Sequence, residues 1–290
     1  MTLHKRNIIG ISLLIPIFTL IFFVIVIPEA WAIVMSLMNY RPGVPIEFVG
    51  TDNYRRILND PNFMDSFLNT LRFVVLGVTL QICLGTAIAL LLSRQFWGQK
   101  LWIALVLAPM AMSPAILGTT WKYLFNSEFG PINYTLFQMG VEPIYWFTRA
   151  NTAFAALLLV YTWNHIPGVF ILVYPALISI PTELIEAAKI DGANRFELTW
   201  YVILPLIKGA LLIAIIFRTI ISLRAFGEIL VLTKGGPFRS TEVMSIYLYK
   251  EGFVYFSWGT SAAVGVIILF VTVIIASPQI RLLSRQMIGD

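Results

Sequence analysis

The sequence predicts an all-α membrane protein with six transmembrane helices, and three observations carry that reading. The 290 residues are 58% hydrophobic and only 12% charged, with a mean hydropathy of +0.83. Soluble domains carry about a quarter charged residues. Uncharged apolar runs recur along the chain, near or above the roughly 20 residues a helix needs to cross a bilayer. Many of the charges fall in short segments between those runs, most densely in "ELIEAAKIDGANRFE", Glu183–Glu197.

The runs place spans at about 8–38, 71–93, 101–123, 152–178, 205–232 and 254–282 of one transmembrane domain covering 1–290. The first begins after "MTLHKR" and continues to Pro28 without a small-residue cleavage site, so it reads as a retained span rather than a leader. Phe73–Ser93 is uncharged, with Gln81 its one strongly polar side chain, and Leu101–Trp121 is uncharged as well. Ala150–Thr182 is uncharged over 33 residues, longer than one crossing requires. Gly209–Leu232 is interrupted by Arg218, Arg224 and Glu228, and Gly252–Ile280 closes the chain without a charge. Arg41–Thr70, with its Pro, Gly and Asn, reads as an ordered outer loop.

Lysine and arginine in the short loops divide evenly between the two sides, so the positive-inside rule does not orient the chain by itself. The N-terminal "HKR" and the very short "SRQFWGQK" connection favour an inner N-terminus. The net charge of +5 fits basic residues flanking a membrane better than nucleic-acid binding. Cys83 is the single cysteine, which excludes an intrachain disulfide and a cysteine metal cluster. Two histidines, His4 and His165, argue against a histidine-built metal site.

The charged segment has its own grammar. Pro181 suits the first turn of a helix, "TELIEAAKID" is rich in helix formers, and Gly192 stands where a left-handed C-terminal residue is wanted. Asn194 followed by Glu197 predicts a capping box opening a second helix. Pro205 then bends or restarts the chain. Two readings stand side by side: a solvated connector, or a helix-turn-helix whose Ala187, Ala188, Ile190, Ala193 and Phe196 offer small and apolar docking surface.

"EAAKIDGANRFELTWYVILP" resembles the EAA signature of ABC importer permease subunits. Glu186, Ala187, Ala188, Asp191, Gly192, Ala193 and Pro205 stand where that pattern wants them. "FVGTDNYRRIL", "FLNTLRF", "SIPTELIEAA" and "LTKGGPFRSTEV" are similar, in order, to the carbohydrate-uptake branch of that family, the maltose and glycerol-phosphate type. The resemblance implies the type I importer permease fold, with residues 179–204 as a coupling loop. Its short helix, with Phe196, would dock in a cleft of a cytoplasmic ATPase. It also implies a cytoplasmic N-terminus and location in the inner membrane. The implied partners are a second homologous permease subunit, two ATPase subunits, an extracytoplasmic substrate-binding protein and membrane lipid, with no nucleic acid. The implied cargo is a sugar or related polyol.

The remaining residues fit a transport subunit. There is no Gly-x-x-x-x-Gly-Lys-Ser/Thr phosphate loop, so ATP and Mg are expected on the partner ATPase and no cofactor on this chain. No catalytic constellation assembles, which disfavours a membrane enzyme. In the fourth span Tyr161, Asn164, His165 and Gly168 share one helical face, beside Pro167, which frees a backbone carbonyl and favours a kink. They read as a solute pathway or as interhelical packing, while Trp163 reads as packing. In the fifth span Arg224 and Glu228 are spaced to pair. Arg218 points elsewhere, with Ser222 and Ala225, either to attract an anionic solute or to bond a carbonyl or partner. A stand-alone secondary transporter or channel is the alternative, disfavoured because Glu228 is nearly the only intramembrane acid.

Overall fold

The computed structural model describes residues 14–288, with side chains through 285. The basic N-terminus with His4, Lys5 and Arg6, and the start of the first predicted span at residue 8, lie outside the described residues. In chain order the helices are α1 Leu14–Ser36, α2 Asp52–Leu58, α3 Pro61–Leu92, α4 Gln99–Ala111, α5 Pro114–Leu124 and α6 Pro131–Gln138. They continue with α7 Ala150–Ile178, α8 Thr182–Ile190, α9 Arg195–Leu206, α10 Lys208–Leu223, α11 Gly227–Leu232, α12 Met244–Tyr249 and α13 Trp258–Ile288. A two-residue antiparallel ribbon, β1 Met38–Asn39 with β2 Glu47–Phe48, pairs Met38 with Phe48 and Asn39 with Glu47.

Helices α1, α3, α7 and α13 are long and apolar enough to cross a membrane. The α4–α5 and α9–α10 pairs pass the same test only as bent pairs, at 103° and 71°. Contacts divide the chain into two units. One holds the described residues up to Phe63 with Tyr247–Leu269; the other holds Met64–Ile246 with the described residues from Phe270 onward.

In the first unit α1 is apolar on every face but for the exposed Glu29, and none of its apolar side chains is buried. A helix of that composition suits lipid contact along its length. Its end is fastened by polar groups. Asn53 on α2, 4% exposed, donates to the carbonyls of Ser36 at 2.8 Å and Met38 at 2.9 Å. Ser36 Oγ donates to Ile33 O at 2.6 Å, so the Tyr54 hydroxyl donates to Ser36 Oγ, also at 2.6 Å. The start of α13 closes on the same place, with Gly259 N–H donating to Tyr40 O at 3.2 Å. Gly259 is required sterically, since a Cβ there would lie 2.1 Å from Met38 O.

In the second unit α7 is the shared wall of two apolar clusters. One gathers Phe73, Leu117, Phe125, Leu157, Val160, Ile229 and Leu232; the other gathers Ala89, Val169, Phe170, Val173, Ile207 and Ala214. Helices in lipid gain little from hydrophobic expulsion and depend on close contact. The α5–α11 contact illustrates this: Gly118 touches Val231 and Gly227 touches Pro114, where a Cβ would approach to 2.6 and 2.8 Å.

Five readings of the sequence need correction. The third span, 101–123, is not one helix. The residue before a proline is pushed out of the α region; Ser113 is extended (φ −69, ψ 151) and caps α5, with Pro114 in its first turn. The helix before it has already closed in a 3₁₀ turn at Ala108–Ala111 around Pro109. The fifth span, 205–232, ends its main helix at Leu223, and Arg224–Phe226 leave helical geometry before α11. The loop expected over Arg41–Thr70 contains α2 and the start of α3, and the sixth span opens at Trp258 rather than 254. Helix α7 runs through Pro167 and Pro175 as one element, and Pro181 caps α8 from outside rather than occupying its first turn.

The fastening in the first unit is open to a direct test. Asn53→Ala leaves two buried carbonyls without donors, and stability should fall by about 1–3 kcal/mol. Gly259→Ala should cost at least as much, whereas Asn59→Ala, at an exposed site, should stay within about 0.5 kcal/mol. Thermal unfolding of the solubilised protein reads all three; an Asn53→Ala midpoint equal to that of Asn59→Ala would contradict the assignment.

Candidate functional site

The second unit brings polar side chains from four helices to one buried place. Tyr161, His165 and Gly168 lie on one face of α7, as their spacing requires. Tyr161 and His165 rings are 4.0 Å apart, and His165 Nδ1 lies 2.9 Å from Tyr161 O. A carbonyl only accepts, so Nδ1 donates and Nε2 is the nitrogen presented to Glu228 Oε1, 3.9 Å away on α11. From α10, Arg218, 4% exposed, donates through Nε to Gln81 Oε1 on α3 at 2.7 Å. Its Cζ stands 5.9 Å from the Tyr161 ring centroid, within cation–π range. Tyr161 Oη donates to Ser222 Oγ at 3.4 Å, and Gly168 leaves its face open toward the guanidinium, where a Cβ would sit 3.8 Å from Nη1.

Chemically the cluster offers hydroxyls, an amide, an imidazole, a carboxylate and a guanidinium. Two of its donors, Arg218 Nη2 and Gln81 Nε2, are buried with no hydrogen-bond partner among the described residues. Buried polar groups are normally satisfied, and in a hydrocarbon setting unsatisfied ones mark a functional place. The groups suit hydrogen bonding to a polar solute. Ser222 meets the Tyr161 hydroxyl rather than an imidazole or carboxylate, so no activated nucleophile is built. No group of three or more His, Cys, Asp or Glu side chains among the described residues is arranged to hold a metal.

Several expectations are corrected here. Arg224 and Glu228 do not pair: the helix stops between them, Arg224 is exposed, and Glu228 faces His165. Arg218 is not left without a protein partner, because Gln81 accepts from it. Asn164 follows the packing alternative, donating to Pro109 O at 2.7 Å rather than to the cluster. Ser222 does join the cluster, and Trp163 packs edge-on against Trp121 at 5.4 Å. Gln81 is the member that spacing on one helix misses. Its signal was present, as the one strongly polar side chain of an uncharged run.

The charged segment forms a compact turn. Gly192, in the left-handed conformation at φ +86, follows α8; its N–H donates to Lys189 O at 3.1 Å, and Ala193 N–H donates to Ala188 O at 3.0 Å. That pair of bonds is a Schellman closure. Asn194 then opens α9: its Oδ1 accepts from Phe196 N–H at 2.9 Å and Glu197 N–H at 3.0 Å, while Glu197 Oε2 accepts from Asn194 N–H at 2.8 Å. The reciprocal box fixes the start of the second helix two residues after the first has closed. Glu186, Ala187, Asp191, Gly192, Phe196 and Pro205 are exposed, and Ala188 and Ala193 are half-buried. Ile190, 85% exposed, extends this face.

A second ordered loop, "LTKGGPFRSTEV", holds Lys234, Phe238 and Arg239 at positive φ, a strained state for non-glycine residues that surrounding bonds must maintain. Asn69 donates to Arg239 O at 3.0 Å and Glu242 O at 3.3 Å, Thr241 donates to Gly236 O at 2.8 Å, and Arg239 pairs with the fully buried Glu242.

Residues 81–289 match the model of the family described as binding-protein-dependent transport system inner membrane component. The chain is similar to a trehalose/maltose transport system permease protein of Thermococcus litoralis, 34% identical over 85% of this chain and 84% of that one. It is similar also to a sulfoquinovosyl glycerol transport system permease protein of Agrobacterium fabrum, 30% identical over 97% and 92%. Its fold matches a chain in the crystal structure of a bacterial alginate ABC transporter in complex with alginate pentasaccharide-bound periplasmic protein. There the TM-score is 0.85, with 20% identity over 98% of this chain and 96% of that one.

The Arg218–Gln81 contact predicts measurable coupling. Gln81→Leu strips the acceptor from a buried guanidinium and should destabilise the solubilised protein by roughly 2–4 kcal/mol. Arg218→Met alone should cost less. The double variant should recover part of the loss, with an interaction energy of about 1–3 kcal/mol. Additive single effects in unfolding measurements would rule the contact out as an energetic unit.

Proposed function

Because the chain belongs to the binding-protein-dependent transport system inner membrane component family, we propose that Thr182–Leu206 is the element through which a separate ATPase drives it. The chain is a permease subunit of an ABC importer, a transport component rather than an enzyme. The observation that carries the proposal is the Schellman closure of α8 followed at once by the capping box of α9. Only Gly192 and Ala193 separate the Ccap Asp191 from the Ncap Asn194, and both helix ends are satisfied internally. Such a turn moves as one body when pushed. Its exposed small and apolar residues, Ala187, Ile190 and Phe196 among them, suit insertion into a groove of another protein.

In this reading α8 is the coupling helix, the N-terminus is cytoplasmic, and each bent pair counts as one of six spans. The chain works with a second homologous permease subunit and two ATPase subunits, which carry ATP and Mg; an extracytoplasmic binding protein delivers the solute. The cluster of Tyr161, His165, Arg218, Ser222 and Glu228, extended by Gln81, lines the solute path. The solute is a sugar or related polyol. The relatives' names, trehalose/maltose and sulfoquinovosyl glycerol transport, support that class, as do the hydroxyl, amide and charged groups of the cluster. Closure of the ATPases on ATP would tilt the α8–α9 body and, through the 71° joint at Ile207, α10 with its Arg218.

Gly192 gives the sharpest test. A β-branched residue is strained at φ +86, while asparagine tolerates that conformation. No atom lies within 4 Å of a Cβ placed there, so the effect is conformational rather than a clash. Gly192→Val should abolish uptake and co-purification of the ATPase while the protein stays in the membrane; Gly192→Asn should keep most of both. Normal uptake by Gly192→Val would defeat the proposal, and uptake by this chain with no ATPase bound would point to a stand-alone transporter.

A further inference from the structure

A cavity of about 900 Å³ lies within the second unit where the C-terminal ends of α3 and α7, helix α8 and the start of α9 meet. Three cations line it: Arg94 just beyond α3, Lys189 on α8 and Arg195 on α9. No aspartate or glutamate does. Glu197, the acid nearest Arg195 in sequence, is engaged with the Asn194 N–H. Among the described residues none of the three cations has a carboxylate within 4 Å. Neutral hydrogen-bonding side chains complete the wall, among them Tyr174 and Thr199, and Gln99, whose amide is anchored to Leu92 O at 2.7 Å and Tyr174 Oη at 3.2 Å.

All three cations are exposed to solvent at the rim of the space, and an anion seated among them would gain attraction from each. Two arginine forks and a lysine are the set that recognises phosphate oxygens, the arginines bidentately and the lysine as a point charge. The space is large enough for a small organic ligand rather than a bare oxyanion. Beside it, on the same α3–α4 connection as Arg94, Trp97 is 99% exposed and Phe96 is exposed too. Aromatic and basic side chains together mark the headgroup level of a bilayer.

We infer that this cavity is a binding site for a phosphate ester, either the headgroup of an anionic phospholipid or a soluble phosphorylated compound. The phosphate would bridge Arg94 to Lys189 and Arg195 and so tie the α8–α9 body to the end of α3. The binding stands on the cavity and its charges; its consequence for coupling rests on the docking role proposed above. Loss of binding and loss of ATPase co-purification are separate readouts, so either reading can fail alone.

The test uses the full-length chain, delipidated in neutral detergent, with its unfolding midpoint titrated against three probes. These are inorganic phosphate, dihexanoyl phosphatidylglycerol and dihexanoyl phosphatidylcholine. Phosphatidylglycerol should raise the midpoint in a saturable way. Arg94→Gln, and Arg94→Gln with Arg195→Gln, should shift half-saturation upward by about tenfold or more, while Arg94→Lys should retain most of the response. Stabilisation by phosphatidylglycerol alone assigns a lipid headgroup; stabilisation by inorganic phosphate as well assigns soluble phosphate esters. An equal response to phosphatidylcholine, no response to either anion, or a wild-type response in both glutamine variants would overturn the site.

Discussion

A broken helix inside a membrane must hand its freed backbone groups to partners within the protein, because hydrocarbon supplies none. Much of the second unit follows from one such transaction. Pro109 and Pro114 interrupt the third apolar run, and the carbonyl of Pro109, which closes the 3₁₀ turn by accepting from Met112 N–H at 3.1 Å, also accepts from the Asn164 amide at 2.7 Å. At this point the chain turns by 103° and sends α5 away from α4, and the Asn164 bond ties the turn to α7. Helix α5 then meets α11 through the Gly118–Val231 and Gly227–Pro114 contacts. Helix α11 carries Glu228, and its position opposite His165 depends on that packing.

The buried polar cluster obeys the same constraint in a different way. A guanidinium in an apolar surround is costly unless bonded, and Arg218 is held by Gln81 below it and the Tyr161 ring beside it. The cluster nevertheless keeps Arg218 Nη2 and Gln81 Nε2 unused by other described residues. A purely structural network would be expected to close on itself. An open one fits a face that exchanges hydrogen bonds with a passing solute, and glycine at 168 keeps that face unobstructed.

The charged helix-turn-helix works on the opposite principle. Every bond that shapes it is local: Gly192 to Lys189, Ala193 to Ala188, Asn194 with Phe196 and Glu197. None of its residues from Thr182 to Ile190 or from Arg195 to Ile203 is buried. Its turn is therefore set by local bonds and keeps Ala187, Ile190 and Phe196 exposed, while the far end of α9 packs through Ile203 and Leu204 on the apolar cluster around α7. This locally bonded element joins α10 through the 71° bend at Ile207, the geometry on which its proposed coupling role depends.

The sequence alone determined what depends on neighbours within a few residues. The apolar runs, the Gly192 turn and the Asn194–Glu197 box were legible, because capping and propensity act over one or two turns; the break expected at Pro205 falls instead at Ile207. The prolines of "LAPMAMSPAIL" were legible too, though composition averaged over the run hid them. Only the tertiary structure decided which polar groups meet. Gln81 and Arg218 are 137 positions apart, and no periodicity links them. Arg224 and Glu228 are four apart and look like a pair, yet the chain leaves helical geometry between them, and Glu228 faces an imidazole from α7 instead. Spacing predicts a contact only while the helix persists, and where it stops is set by packing against segments far away in the chain.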